Sequence, residues 1–141
     1  MIYLNELVSM KGLDKERLLA EIKKVMSFLK ISKQDLSITF CGDSLIQKLN
    51  KEYRHKDKPT DVLSFEMDEP KLLGDIIISL PIARKNTKAF GTGLFEEVVF
   101  LIVHGILHLL GHDHYKKNEE KKMRDLERQI MFKLFKKEYH A

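Results

Sequence analysis

A chain of 141 residues with 43% hydrophobic residues is long enough for one domain around one core, and it holds no apolar run of the roughly 18 residues that a membrane helix needs. A single cysteine, Cys41, excludes an internal disulfide framework and fits a reducing cytoplasm. The net charge of +4 and isoelectric point of ≈ 9.1 permit an anionic partner such as RNA without establishing one.

The opening, MIYLNELVSMKG, has neither a basic n-region nor a clean apolar h-region, so no signal peptide is expected. Ile2 to Leu7 reads as an edge strand. Asp14 is placed to cap a helix running to about Lys30, with Leu13 and Leu18 stapled across the cap. Leu18, Ile22, Val25 and Leu29 form its apolar stripe. Leu36 to Cys41 alternates apolar residues with Ser and Thr, the pattern of a half-buried strand. Asp43 is expected to cap a second helix through about Arg54, with Leu45, Leu49 and Tyr53 inward. The segment Lys56 to Asp61 is a loop, because the residue before Pro59 avoids the helical region. Val62–Met67 and Gly74–Leu80 read as an antiparallel strand pair joined across Asp68 to Lys71. Pro81 begins a short helix that ends before Gly91. A last helix from about Lys116 presents Met123, Leu126, Ile130 and Leu134 on one face, with the rest of its surface charged and solvated. The pattern predicts one α+β or mixed α/β domain over residues 1–141, with a small, about four-stranded mixed sheet flanked by helices.

Between these helices lies VVFLIVHGILHLLGHDH, Val98 to His114. Ten of the thirteen residues from Val98 to Leu110 are aliphatic or aromatic, so this helix belongs in the core. It nevertheless carries His104 and His108. Residues four apart lie about 40° apart around a helix, one turn above the other, so the two imidazoles can converge. Gly111 offers a left-handed exit, after which His112 or His114 can return to the same point. A lone histidine in such a helix is most simply a satisfied core residue. Two at this spacing, with a third past a glycine turn, point instead to a metal, since burying imidazoles without partners is costly. Three neutral imidazoles around a borderline cation make a zinc site with one open position, although they would accept nickel or copper as well.

The spacing is also that of the metzincin proteases, HExxHxxGxxH. Here Gly105 occupies the place of the glutamate that activates water, so a peptidase reading lacks its general base. The block HGILHLLGHDH instead resembles the YbeY family of bacterial endoribonucleases. So do YRHKDKPTDVLSFE, Tyr53 to Glu66, and LGDIIIS, Leu73 to Ser79, in the same order and spacing. The first forty residues carry little of this signal.

The resemblance implies a zinc-dependent, single-strand-directed endoribonuclease with the metal helix central in the fold. It implies one Zn2+ per chain on His104, His108 and His114, the last chosen over His112 because the family's third histidine follows the position of Asp113. It implies action on ribosomal RNA at the small-subunit RNA 3′ end and in ribosome quality control, with single-stranded RNA and the small ribosomal subunit as partners, in the cytoplasm and at no membrane. The expected catalytic elements are a zinc-bound water and Arg54. From residue type alone Arg54 is simply a solvated cation at a helix end. The family's functionally important arginine falls at this position, and a guanidinium forks onto two phosphate oxygens. Lys56 and Lys58 extend a positive loop that can contact flanking phosphates, or are ordinary surface lysines. Asp113 either orients a ligand histidine or is a turn residue. Asp75 is read as structural, and His55 and His140 as surface residues. Two chemistries stay open, zinc-hydroxide attack on phosphorus and deprotonation of the RNA 2′-hydroxyl. So does a second function class, a metal-stabilised RNA-binding assembly factor that cuts nothing.

Overall fold

The computed structural model describes residues 1–112 and 116–136. Its elements run β1 (Ile2–Glu6), α1 (Lys15–Phe28), β2 (Asp35–Cys41), α2 (Asp43–Arg54), β3 (Val62–Glu66), β4 (Leu72–Ser79), α3 (Leu80–Phe90), α4 (Leu94–Leu109) and α5 (Lys117–Phe135). The four strands form one mixed sheet in the order β1-β2-β4-β3. β1, β2 and β4 are parallel neighbours, and β3 returns antiparallel against β4. This is the expected α+β architecture with β1 at an edge.

Strand alternation divides the interior in two. Leu36, Ile38 and Phe40 of β2 and Ile76 and Ile78 of β4 face the main core with α1, α3, α4 and α5. The intervening Cys41 and Ile77 face the opposite side, where Ile46 of α2 and Leu63 close a second, smaller cluster. The main core is the reason α4 is apolar almost all round. Val98, Val99, Leu101, Ile102, Val103, Ile106 and Leu107 are each at most 2% exposed. No helix among the described residues is by itself long and apolar enough to cross a membrane.

Local caps follow residue chemistry. The Asp14 carboxylate accepts from the Arg17 backbone N–H, as expected of an N-cap. Leu13 and Leu18 lie in the same apolar cluster. The stripe of α1 includes Met26 and leaves Leu29 only partly buried.

Three expectations are corrected. Asp43 does not cap α2: Gly42 is the N-cap, and Asp43, in the first turn, accepts from the Ser79 hydroxyl at 2.9 Å. The fully buried line of α2 is Ile46 and Asn50; Leu45 and Leu49 pack against the same cluster as expected, and Tyr53 does not. Tyr53 is 60% exposed and meets Phe65 edge-to-face at 5.2 Å. An apolar pattern cannot flag Asn50, which is buried because its Nδ2 donates to the Lys58 carbonyl at 2.9 Å. Finally, the polar side of α5 is not wholly solvated. Glu127 is 3% exposed, one turn from the buried Met123 and Ile130.

Candidate functional site

The exposure of α4 identifies its working face. From Val98 to Leu109 every residue is buried except Phe100, His104 and His108, which are partly exposed. These three are spaced four apart and so form one stripe along the helix. The two histidines are therefore not core histidines; they line an opening in the surface.

Their rings are 4.6 Å apart between centroids and inclined at 73°, which brings His104 Nε2 and His108 Nε2 within 3.1 Å. The other nitrogen of His104, Nδ1, lies 3.0 Å from Glu127 Oε1. This pairing suits a proton on Nδ1 that is donated to the carboxylate, an arrangement that would leave the Nε2 lone pair facing His108. Two nitrogens bound to one zinc at about 2.0–2.1 Å and a tetrahedral angle stand about 3.3 Å apart. The observed pair is close to that separation, and a buried carboxylate behind a ligand imidazole is the usual support of a metal site. On these grounds the donors present fit a divalent metal. Among the described residues no group of three or more His, Cys, Asp or Glu comes together at one point. The third expected ligand, His114, and the expected orienting residue, Asp113, lie outside the described residues, as does His140.

The end of α4 shows how the chain leaves the site. Gly111 has φ +96°, its N–H bonds the His108 carbonyl, and the His112 N–H bonds the Leu107 carbonyl, both at 3.0 Å. This pair of bonds is a Schellman motif, and the left-handed turn it needs suits only glycine well. His112 thus closes the helix through its backbone. At Gly105 the constraint is different. A Cβ there would lie 2.9 Å from Ile76 Cδ1 and 3.0 Å from Ser64 Oγ, and the Ser64 hydroxyl already donates to the Gly105 carbonyl at 3.2 Å. Position 105 is pressed against the sheet, so a side chain placed there would force the Ile76 and Ser64 side chains to shift.

The second half of the site comes from α2 and the loop after it. His55 adopts φ +58° at the C-cap and turns the chain into residues 56–61. The loop is then tied back to α2 by Asn50 at the Lys58 carbonyl and by Gln47 Nε2 at Asp57 Oδ1, 3.0 Å. As a result Arg54, Lys56 and Lys58 line the same cleft as His104 and His108, a space of about 460 Å³. Asn50, Thr60, Asp61, Ser64 and Glu66 complete its walls. A second cavity of about 480 Å³ opens on the other side of His104, lined by Phe100, Glu120, Arg124 and Glu127 and sharing Asp61. One side of the histidine pair is therefore rich in cations and the other in carboxylates.

Asp75 takes no part in this cleft. Strand alternation places it on the opposite sheet face from Ile76, in register with Ser37. Burial pushes its carboxyl above the usual range, against the Ser37 hydroxyl, which lowers it. Of the expected site residues, the cleft brings together His104, His108, Arg54, Lys56 and Lys58; Glu127, Asn50 and Asp61, which adjoin them, were not among the candidates. Glu127 sits among the charged residues of α5, and only its spacing of four from Met123 and three from Ile130 hinted that it faces inward.

The model of the family described as Endoribonuclease YbeY matches residues 5–135. The chain is similar to Endoribonuclease YbeY of a Sulfurihydrogenibium species, 46% identical over 139 residues that cover 94% of this chain and 91% of that protein. It is similar to Endoribonuclease YbeY of Aquifex aeolicus, 50% identical over 116 residues covering 79% and 77% of the two chains. Among solved structures it resembles the solution structure of TM1509 from Thermotoga maritima, with a TM-score of 0.71, 25% identity and coverage of 96% and 90%.

Proposed function

This chain belongs to the YbeY endoribonuclease family, and we propose that its histidine cleft cuts single-stranded RNA with the help of one zinc ion. The observation that carries the reading is the meeting of the His104–His108 nitrogen pair with Arg54, Lys56 and Lys58 in one cleft. His104 and His108, with His114, would hold the ion, which when bound would supply Lewis acidity and a water acidic enough to act near neutral pH.

The chain's own residues do the rest. Arg54, exposed at the end of α2, reaches the cleft with a planar fork that matches two oxygens of one phosphate and neutralises charge as it develops. Lys56 and Lys58 hold the neighbouring phosphates as point charges, and Asn50 keeps the loop that carries them against α2. A flexible strand can bend its backbone to bring one phosphate to the histidine pair while others reach the lysines. A duplex holds its phosphates in fixed geometry and does not. Gly105 stands where the metzincin proteases have their glutamate base and is packed against Ile76 and Ser64, which argues against polypeptide as substrate. Family membership and the basic side of the cleft support ribosomal RNA as the natural substrate. On this reading the enzyme acts in the cytoplasm, at the small-subunit RNA 3′ end and in ribosome quality control, with the small ribosomal subunit as partner.

The test is a panel of zinc-loaded protein with single-stranded RNA, the matching duplex, a DNA analogue and an unfolded polypeptide. Cleavage of the single strand alone is expected, lost with a chelator and in His108→Ala. A 2′,3′-cyclic phosphate product end, with the DNA analogue intact, identifies attack by the 2′-hydroxyl; cleavage of the DNA analogue identifies attack by water. RNA that binds but stays whole with every metal tried would replace this reading with that of an assembly factor.

A further inference from the structure

We propose that Glu127 is a positioning residue, whose buried carboxylate holds His104 in the single tautomer and orientation that presents its Nε2 lone pair toward His108 for a shared metal. The inference rests on the reading of the histidine pair as metal ligands. It starts from a cost. A carboxylate 3% exposed is unfavourable unless a donor meets it. The donor within reach is His104 Nδ1, at 3.0 Å from Oε1. The neighbouring cation Arg124 is hydrogen-bonded to Glu120, one turn away on α5.

The placement of Glu127 is determined by packing. Met123 and Ile130, four residues before and three after it, are 2% and 1% exposed and lie in the core cluster shared with α4. Glu127 falls between them on the same helix face, so its side chain is delivered to α4 at the level of His104. Because the carboxylate can only accept, it selects the Nδ1–H form of His104, the minority form of free neutral imidazole. The 3.1 Å approach of the two Nε2 atoms is then a pair of donors prepared for one ion, with His104 held from behind. In this way α5, which offers no ligand itself, controls the quality of the site.

Two measurements test the role. In the metal-free protein at mildly alkaline pH, long-range nitrogen–proton NMR correlation reads the tautomer of His104 directly; the Nδ1–H form is expected. Zinc affinity is then measured by competition with a chromophoric chelator. Glu127→Leu should lose about 10–100-fold in affinity and show His104 as a mixture of tautomers. Glu127→Gln should recover most of the affinity, because its side-chain carbonyl accepts the same proton. The proposal is overturned by an Nε2–H form of His104 in the unaltered chain, or by unaltered zinc affinity in a folded Glu127→Leu. If Glu127→Leu does not fold, the tautomer in the unaltered chain decides alone. Failure of the unaltered chain to bind zinc removes the metal reading itself, whereas equal binding by both forms removes only the role of Glu127.

Discussion

Single residues carry the chemistry proposed for this cleft, and Arg54 is the one whose role separates most cleanly from the fold. It is exposed at a helix end and lines the cleft. If it neutralises charge on the scissile phosphate, Arg54→Ala should lower cleavage by roughly 10²-fold while thermal stability and zinc content stay close to those of the parent. Arg54→Lys should restore only part of the loss, because an ammonium cannot fork onto two oxygens. Single-turnover rates with a short RNA measure both, and an unchanged rate in Arg54→Ala would leave this residue a surface cation. Asn50 illustrates a different residue role. It is polar, buried and satisfied by a single backbone carbonyl, and its function is to keep a loop in place.

At the scale of elements, the site is a product of how α4 lies on the sheet. Gly105 lets the helix approach the sheet closely enough for Ile76 of β4 to pack against it and for Ser64 of β3 to bond its carbonyl. Gly105→Glu would recreate the metzincin motif in sequence, yet it should destabilise the fold by about 1–3 kcal/mol or more, since overpacking forces backbone shifts. Urea denaturation gives the loss of stability, and a peptide substrate should remain uncut. Peptidase activity in a stable Gly105→Glu chain would show that position 105 has room facing the cleft. The same logic explains the loop after α2. The left-handed turn at His55 and the bonds from Asn50 and Gln47 fold it onto α2, so three cations are presented together instead of on a free segment.

At the scale of the whole molecule, the useful property is the uneven charge across the histidine pair. Arg54, Lys56 and Lys58 line one cavity together with Glu66, while Glu120 and Glu127 line the other together with Arg124, and Asp61 borders both. A strand that engages all three cations should show a salt dependence with a slope of about −2 in log affinity against log salt, at about 0.7 per contact. Replacing Lys56 and Lys58 together by Ala should bring the slope to about −0.7. Binding of a short single-stranded RNA to chelator-treated protein across a salt series measures this without cleavage. A slope that does not change in the double variant would place the RNA on another surface.

Much of this was legible in the chain because the signals are local. Periodicity and caps predicted the strands and helices in order, since amphipathic spacing and turn chemistry act over a few residues. The i, i+4 histidines and the glycine turn were readable because a helix has a known pitch. The inward turn of Glu127, the burial of Asn50 and the exposure of Tyr53 were decided only by tertiary structure. Each depends on which neighbour happens to lie opposite: α4 against α5, the loop carbonyl of Lys58 against α2, Phe65 of β3 beside Tyr53. Gly105 belongs to both levels. The sequence alone determined that no carboxylate stands there, and the packing of α4 on Ile76 and Ser64 determined that a side chain there would crowd the sheet.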